Sequence, residues 1–263
     1  MKVLRPNVDL DAFFTALRAA PRRGLLLDYD GTLAPFVEDR MAAWPYPGVR
    51  DLLLRLVRAH GSRVVIVSGR SIADVLHFLD LQVGCEIWGV HGWERRLEDG
   101  SDVSMRPSPA QNAALREAQD LVPGASRQTL EQKSASLALH WRGTAPEARE
   151  RLERRVRPAW TALAERAGLE LHAFDGGLEL RIPGRDKGYA VRTLAAELGP
   201  GAALAYLGDD LTDEDAFRAL RGIGLGVLVR AELRPTQADC WIVPPQELLV
   251  FLERWLESLP PPA

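Results

Sequence analysis

The sequence predicts an α/β fold in which a parallel-sheet core carries a smaller inserted α+β module. Two observations predict it. Across about the first hundred residues, leucine-rich or β-branched runs alternate with helical segments, the pattern of βαβ units feeding a parallel sheet. After Pro107 and Pro109 that rhythm stops, and alternating apolar–polar stretches with an Asp175-Gly176-Gly177 hairpin turn take over until it resumes at Asp186. Residues 1–106 and 184–263 are therefore assigned to the core and 107–183 to the insert.

The elements follow in chain order. Leu25–Leu27 reads as a buried strand, followed by a helix over Val49–Ala59, entered through Pro47 and closed at Gly61. The run Val64-Val65-Ile66-Val67 is the second strand and ends at Ser68-Gly69-Arg70. Ser71, with Asp74 three residues on, marks the start of a helix to Leu79. Short segments around Cys85–Val90 and Val103–Met105 complete this part. In the insert, a helix to Leu121 precedes the stretch Ser134–Trp141. There Ala135, Leu137, Leu139 and Trp141 share one face and Ser136, Ala138 and His140 the other. An Arg-rich helix over Pro146–Ala167, its basic side solvated, leads to the two strands of the hairpin. The core resumes with a helix from Lys187 to Leu198 capped by Gly199, then a strand over Ala203–Leu207 and an acidic cluster that opens another helix. Strands near Gly224–Val229 and Cys240–Val243 and a helix over Gln246–Leu259 close the chain.

Composition narrows the function classes. The 263 residues are 46% hydrophobic and 26% charged, the make-up of a soluble globular protein with a full-sized core. A balance of 33 basic against 36 acidic residues gives no reason to expect a nucleic-acid or membrane-surface partner. Met1–Leu17 lacks the apolar core of a signal peptide, and no apolar run approaches the roughly 18 residues that span a bilayer. Cys85 and Cys240 lie far apart without metal-like spacing, as free thiols of a reducing compartment would. A cytoplasmic protein is expected; its oligomeric state is left open, with a monomer favoured.

Four separated segments carry candidate chemistry. Strand Leu25–Leu27 runs into Asp28-Tyr29-Asp30-Gly31-Thr32, where carboxylates two residues apart can face one pocket. Such charge at the end of an oily strand calls for a cation or a proton. Attack by a carboxylate on a phosphate dianion needs a nucleophile, a proton source, a divalent metal and fixed cations. Asp28 suits the nucleophile, forming an aspartyl-phosphate, and Asp30 the acid that protonates the leaving alkoxide and later activates water. Hard oxygen ligands point to Mg²⁺, held by Asp28, Asp30 and Asp209, with Asp210 and Asp213 close by. Ser68 and the Gly69 amide can meet phosphate oxygens, as can Lys187 at a helix start.

The order Asp28-Tyr29-Asp30-Gly31-Thr32, Ser68, Lys187, Gly208-Asp209-Asp210 resembles that of the haloacid dehalogenase-like phosphatases. The narrower resemblance is to the trehalose-6-phosphate phosphatases. It rests on Ser68-Gly69-Arg70, Gly89-Val90-His91-Gly92, Glu131-Gln132-Lys133-Ser134, His140-Trp141-Arg142, Glu179, and Asp213-Glu214-Asp215-Ala216-Phe217. It covers about residues 20–245. The resemblance implies a Rossmann-like core, a cap that closes over a sugar phosphate, and trehalose 6-phosphate as substrate. Arg70, His91, Glu131, Lys133, His140, Arg142 and Glu179 would be the substrate contacts. Trp93, Trp141 and Gln132 depart from the family's usual residues, which leaves other sugar phosphates open as substrates. A silent sugar-phosphate-binding domain is the remaining alternative, and the complete set Asp28, Asp30, Ser68, Lys187 and Asp209 speaks against it.

Overall fold

A computed structural model describes residues 1–37, 39–80, 84–104, 106–122, 129–141, 143–174 and 176–260. The chain divides into two compact units, Met1–Val103 with Asp186–Ala263, and Ser104–Arg185. The crossings thus fall after Val103 and Arg185, against the expected 106 and 183.

The first unit begins with β1 (Lys2–Val3) and α1 (Leu10–Ala19), neither of which the sequence reading placed. The signal for α1 was present: Leu10, Phe13, Phe14 and Leu17 recur at helical spacing, and the Asp9 carboxylate accepts from the amides of Asp11 and Ala12. Next come β2 (Arg23–Leu27), α2 (Val49–Arg58), β3 (Arg63–Val67), α3 (Ile72–Leu79), β4 (Glu86–Gly89), β5 (Glu94–Arg96) and β6 (Asp102–Ser104).

The second unit holds α4 (Pro109–Asp120), β7 (Leu130–Gln132), β8 (Ser136–His140), α5 (Pro146–Ala167), β9 (Glu170–Phe174) and β10 (Gly177–Arg181). The first unit then resumes with α6 (Lys187–Leu198), β11 (Ala203–Gly208), α7 (Glu214–Ala219), β12 (Gly224–Val229), β13 (Cys240–Ile242) and α8 (Gln246–Glu257). The last helix stops two residues short of the expected Leu259.

In the first unit nine strands form one sheet in the order β1-β13-β12-β11-β2-β3-β4-β5-β6. The inner run from β13 to β4 is parallel, while β1 and β5 pair antiparallel. Side chains alternate across β2: Leu25 and Leu27 pack with Phe14, Leu52, Phe251 and Trp255 on one face, and Leu26 with Val191, Leu194 and Phe217 on the other. Strand β2 lies between β3 and β11, so the chain leaves it in one direction and returns on the other side. Open α/β sheets bind ligands beyond the carboxyl ends of strands at such a reversal.

In the second unit the sheet β7-β8-β10-β9 is antiparallel. Leu137 pairs with Leu180 and Leu139 with Leu178, all fully buried, while α4 and α5 contact this sheet. Trp160 of α5 is also buried, its indole N–H donating to the Ala118 carbonyl at 3.0 Å. The alternate positions form a polar row in which Glu131, Ala138, Glu179 and His172 lie in register.

Candidate active site

Three parallel strands of the first unit end side by side, and each delivers a predicted residue: β2 to Asp28, β3 to Ser68 and β11 to Asp209. All three are buried, as is Lys187 in the first turn of α6. That helix starts where the sequence placed it because the Asp186 carboxylate accepts from the Tyr189 amide at 2.5 Å. Lys187 Nζ lies 2.7 Å from Asp28 Oδ1 and 2.7 Å from Asp213 Oδ1. Ligand oxygens of Asp28, Asp209 and Asp213 lie within 4.8 Å of one another.

Charge there is unbalanced. Burial pushes Asp28 up, Asp213 adds to it, and Lys187 opposes; the result is about 8, against an ordinary 3.8. Burial, then Asp28, then Asp213 raise Asp209 well above its ordinary value. Burial alone would lower Lys187, but Asp213 and Asp28 outweigh it and hold the ammonium charged. Among the described residues neither oxygen of Asp209 has a hydrogen-bond partner; Arg230 Nη1 approaches Oδ2 at 3.8 Å. Three close carboxylates with a fully orphaned carboxylate among them fit a hard divalent cation.

The three carboxylates are not equivalent. Asp213 accepts from Lys187 Nζ, from the Tyr206 hydroxyl at 2.5 Å, and from the amides of Asp209 and Asp210 at 2.9 Å each. It braces Lys187 and the loop, whereas Asp209 is the member of the three whose oxygens carry no hydrogen bond among the described residues. Asp210 Oδ1 accepts from the Leu211 amide, so this carboxylate caps the following turn. Asp30 stands outside the triad, because β2 has ended before it and its carboxylate meets Arg70 in a two-point pair. Arg70 Nε donates to Oδ2 at 2.7 Å and Nη2 to Oδ1 at 2.6 Å. Arg70 is itself held over the rings of Phe78 and Tyr29.

The Ser68–Gly69 turn, expected from the sequence to meet phosphate, is built by close backbone approach. Ser68 Oγ accepts from the Arg70 amide at 3.1 Å, which leaves its hydrogen to donate elsewhere. A Cβ on Gly69 would stand 2.6 Å from the His91 ring, so the missing side chain lets the imidazole lie against this turn. Val90 and His91 both take left-handed backbone, at φ 47° and 53°, and their amides donate to Arg70 and Ser68 carbonyls. For a β-branched residue that conformation is strained by about 1–3 kcal/mol and is held by those bonds. Gly31, at φ 81°, makes a similar allowance: a Cβ there would meet Asp209 Oδ2 at 2.2 Å.

In the second unit the predicted polar residues form a closed network. Glu179 accepts from Ser136 Oγ at 2.7 Å, Lys133 Nζ at 3.1 Å and Arg181 Nε at 2.7 Å. Glu131 pairs with His140 at 2.9 Å and with Lys133 at 3.8 Å. Ser136 and Arg181 were missed, although both alternate onto the polar face: Arg181 stands two residues from Glu179, and Ser136 is its cross-strand partner. Arg142 lies outside the described residues.

A family model described as Trehalose-phosphatase matches residues 26–239, most of the chain and every strand-end residue above. The chain belongs to the trehalose-phosphatase family. Proteins named as trehalose-phosphate phosphatases match 80 to 95% of its length. A probable trehalose-phosphate phosphatase C of Arabidopsis thaliana is 31% identical over 281 residues, covering 95% of this chain and 82% of the relative. An uncharacterized glycosyl hydrolase of Mycobacterium tuberculosis is 36% identical over 220 residues, 80% of this chain but 16% of the relative, so the chain spans only a fraction of that protein's length. The fold is that of the C-terminal domain of the Candida albicans trehalose-6-phosphate phosphatase, with a TM-score of 0.78 at 22% identity over 98% of this chain and 99% of that one.

Proposed function

We propose that this trehalose-phosphatase-family chain hydrolyses trehalose 6-phosphate to trehalose and phosphate through an aspartyl-phosphate on Asp28, with Mg²⁺ as its metal. The observation that carries the reading is Asp28 itself, a buried carboxylate at the end of β2, paired with Lys187 and beside the orphaned carboxylate of Asp209. Asp28 attacks the phosphorus, and the bond to the sugar oxygen breaks as Asp30 gives that oxygen its proton. Asp30 then takes a proton from water, whose oxygen attacks the phosphorus, releasing phosphate and restoring Asp28. The Ser68 hydroxyl, the Gly69 amide and Lys187 hold the phosphoryl oxygens throughout. Mg²⁺ at Asp28 and Asp209 would supply the charge that offsets repulsion between carboxylate and phosphate. Arg70 grips both oxygens of the Asp30 carboxylate, and one of them leaves that pair to carry the proton; His91 packs against the turn of Ser68 and Gly69.

The polar sheet of the second unit reads the sugar, its Glu131, Lys133, His140 and Glu179 exchanging mutual hydrogen bonds for hydroxyls, with Arg142 assigned the same role. The test is phosphate release with Mg²⁺ and a chelator control, using trehalose 6-phosphate, sucrose 6-phosphate, glucose 6-phosphate and a mannosyl-phosphoglycerate. Preference for trehalose 6-phosphate that chelation abolishes is expected. Metal-dependent turnover of another member would overturn the substrate, and no turnover of any would overturn the mechanism.

A further inference from the structure

Asp209 poses a question that its own side chain does not answer. Its carboxylate has no hydrogen bond among the described residues, and Arg230 Nη1 stands off at 3.8 Å from Oδ2, too far to fix its direction as a hydrogen bond would. The backbone that carries it is gripped more closely, from two sides. On one side the amides of Asp209 and Asp210 donate to Asp213 Oδ2. On the other, Arg234 reaches across 25 residues of sequence: its Nε and Nη2 donate to the Asp209 carbonyl at 3.2 and 3.1 Å, and Nη2 to the Asp210 carbonyl at 2.7 Å. With consecutive amides and carbonyls all bound, the peptides around Asp209 have little rotational freedom, and the Cα–Cβ bond of Asp209 is aimed accordingly.

Arg234 is anchored in turn. Its Nη1 donates to Glu214 Oε1 at 2.5 Å, and Glu214 also accepts from Thr236 Oγ1 at 2.8 Å and from the Gln237 amide at 2.6 Å. The Glu214 carboxylate thus ties the segment 234–237 to the first turn of α7. It also balances the Arg234 charge, so the clamp adds little net repulsion toward a cation at Asp209. A lysine would not replace it, since one ammonium cannot span two carbonyls and a carboxylate in a fixed plane.

We infer that Arg234, braced by Glu214, is a positioning residue for the metal site: it holds the Asp209–Asp210 peptide so that the orphaned Asp209 carboxylate is preset to take a divalent cation. This rests on the metal-dependent reading above and extends it to a residue that touches neither metal nor substrate.

The experiment is direct titration of Mg²⁺ into the 263-residue chain by calorimetry without substrate, with Mn²⁺ paramagnetic resonance as a second probe. Arg234→Met should weaken binding about 10- to 100-fold, the usual effect of removing an outer partner of a ligand, and Arg234→Lys should recover only part of it. In turnover the same variants should need more Mg²⁺, with the KM for sugar phosphate at saturating metal unchanged. Arg95→Met, which breaks the ion pairs of Arg95 with Glu86 and Glu197, is the control for lost stability alone and should lower the melting temperature with metal affinity intact. Wild-type affinity retained in folded Arg234→Met or, should that variant not fold, in Arg234→Lys overturns the inference and leaves the proposed function standing. Equal weakening in Arg95→Met also overturns it, by assigning the effect to stability. A wild-type chain that binds no divalent cation overturns both readings.

Discussion

The two units of this chain hold buried carboxylates in opposite conditions. In the first, Asp209 has no hydrogen bond among the described residues and only a 3.8 Å approach from Arg230 there, and Asp28 shares one lysine with Asp213. In the second, Glu179 accepts from Ser136, Lys133 and Arg181 among its partners. A buried charge without partners is unfavourable until a ligand arrives, whereas a saturated one belongs to the resting structure. The first arrangement suits a group that awaits a cation and a phosphate. The second suits the proposed sugar-reading surface, where one set of hydrogen bonds would be exchanged for another.

The sharpest way to break this contrast is Asp28→Asn, which keeps the side-chain shape and removes the nucleophile. Turnover should fall by about 10⁴-fold or more while the fold persists. Near-normal phosphate release would sink the mechanism. Next in size is Glu179→Gln, expected to lower kcat/KM for trehalose 6-phosphate by about 10- to 100-fold while changing hydrolysis of p-nitrophenyl phosphate by less than about twofold. Equal losses on both substrates would mean that this carboxylate supports the fold and does not read sugar.

A smaller effect concerns stability. Because Asp28 titrates near 8 when folded and near 3.8 otherwise, the folded chain binds more protons than the unfolded one between those values. Stability of the metal-free protein should therefore fall as pH rises from about 4 to about 8 through this group, and level off above. A cation that displaces the proton restores it, so the melting-temperature gain on adding Mg²⁺ should grow from about pH 5 to about pH 8. A gain that stays flat across that range in calorimetric scans would place the metal away from Asp28. The smallest change is Ser136→Ala, which removes the 2.7 Å hydroxyl donor to Glu179 and should lower stability by about 1–3 kcal/mol in denaturant unfolding. A loss below about 0.5 kcal/mol would show that the network is looser than its distances imply.

Much of the first unit was legible because its signals are local. Leu25–Leu27 and Val64–Val67 are short apolar runs closed by turn residues, and Asp186 before Lys187 is a capping pattern. The signal of helix α1 is equally local, an Asp9 cap followed by Leu10, Phe13, Phe14 and Leu17 at helical spacing. What the chain's order concealed was partnership. Asp28 and Asp30 sit two apart, the spacing that would put both on one side of a strand, yet the strand ends before them, and Arg70 rather than the triad takes Asp30. Asp213 stands among four acidic neighbours that look alike in sequence, and only its bonds to Tyr206, Lys187 and two amides single it out.

The sequence by itself determined the alternation of strand and helix, the insert, and the residue types that phosphoryl transfer needs, because hydrophobic period and turn chemistry act over a few residues. Tertiary structure alone decided which carboxylate stays bare, which is braced and which is paired. Those outcomes depend on groups from β2, β3, α6, β11 and the segment after β12 meeting beyond the carboxyl ends of the central strands. Burial and charge proximity are properties of that meeting, and neither is written in the order of the residues.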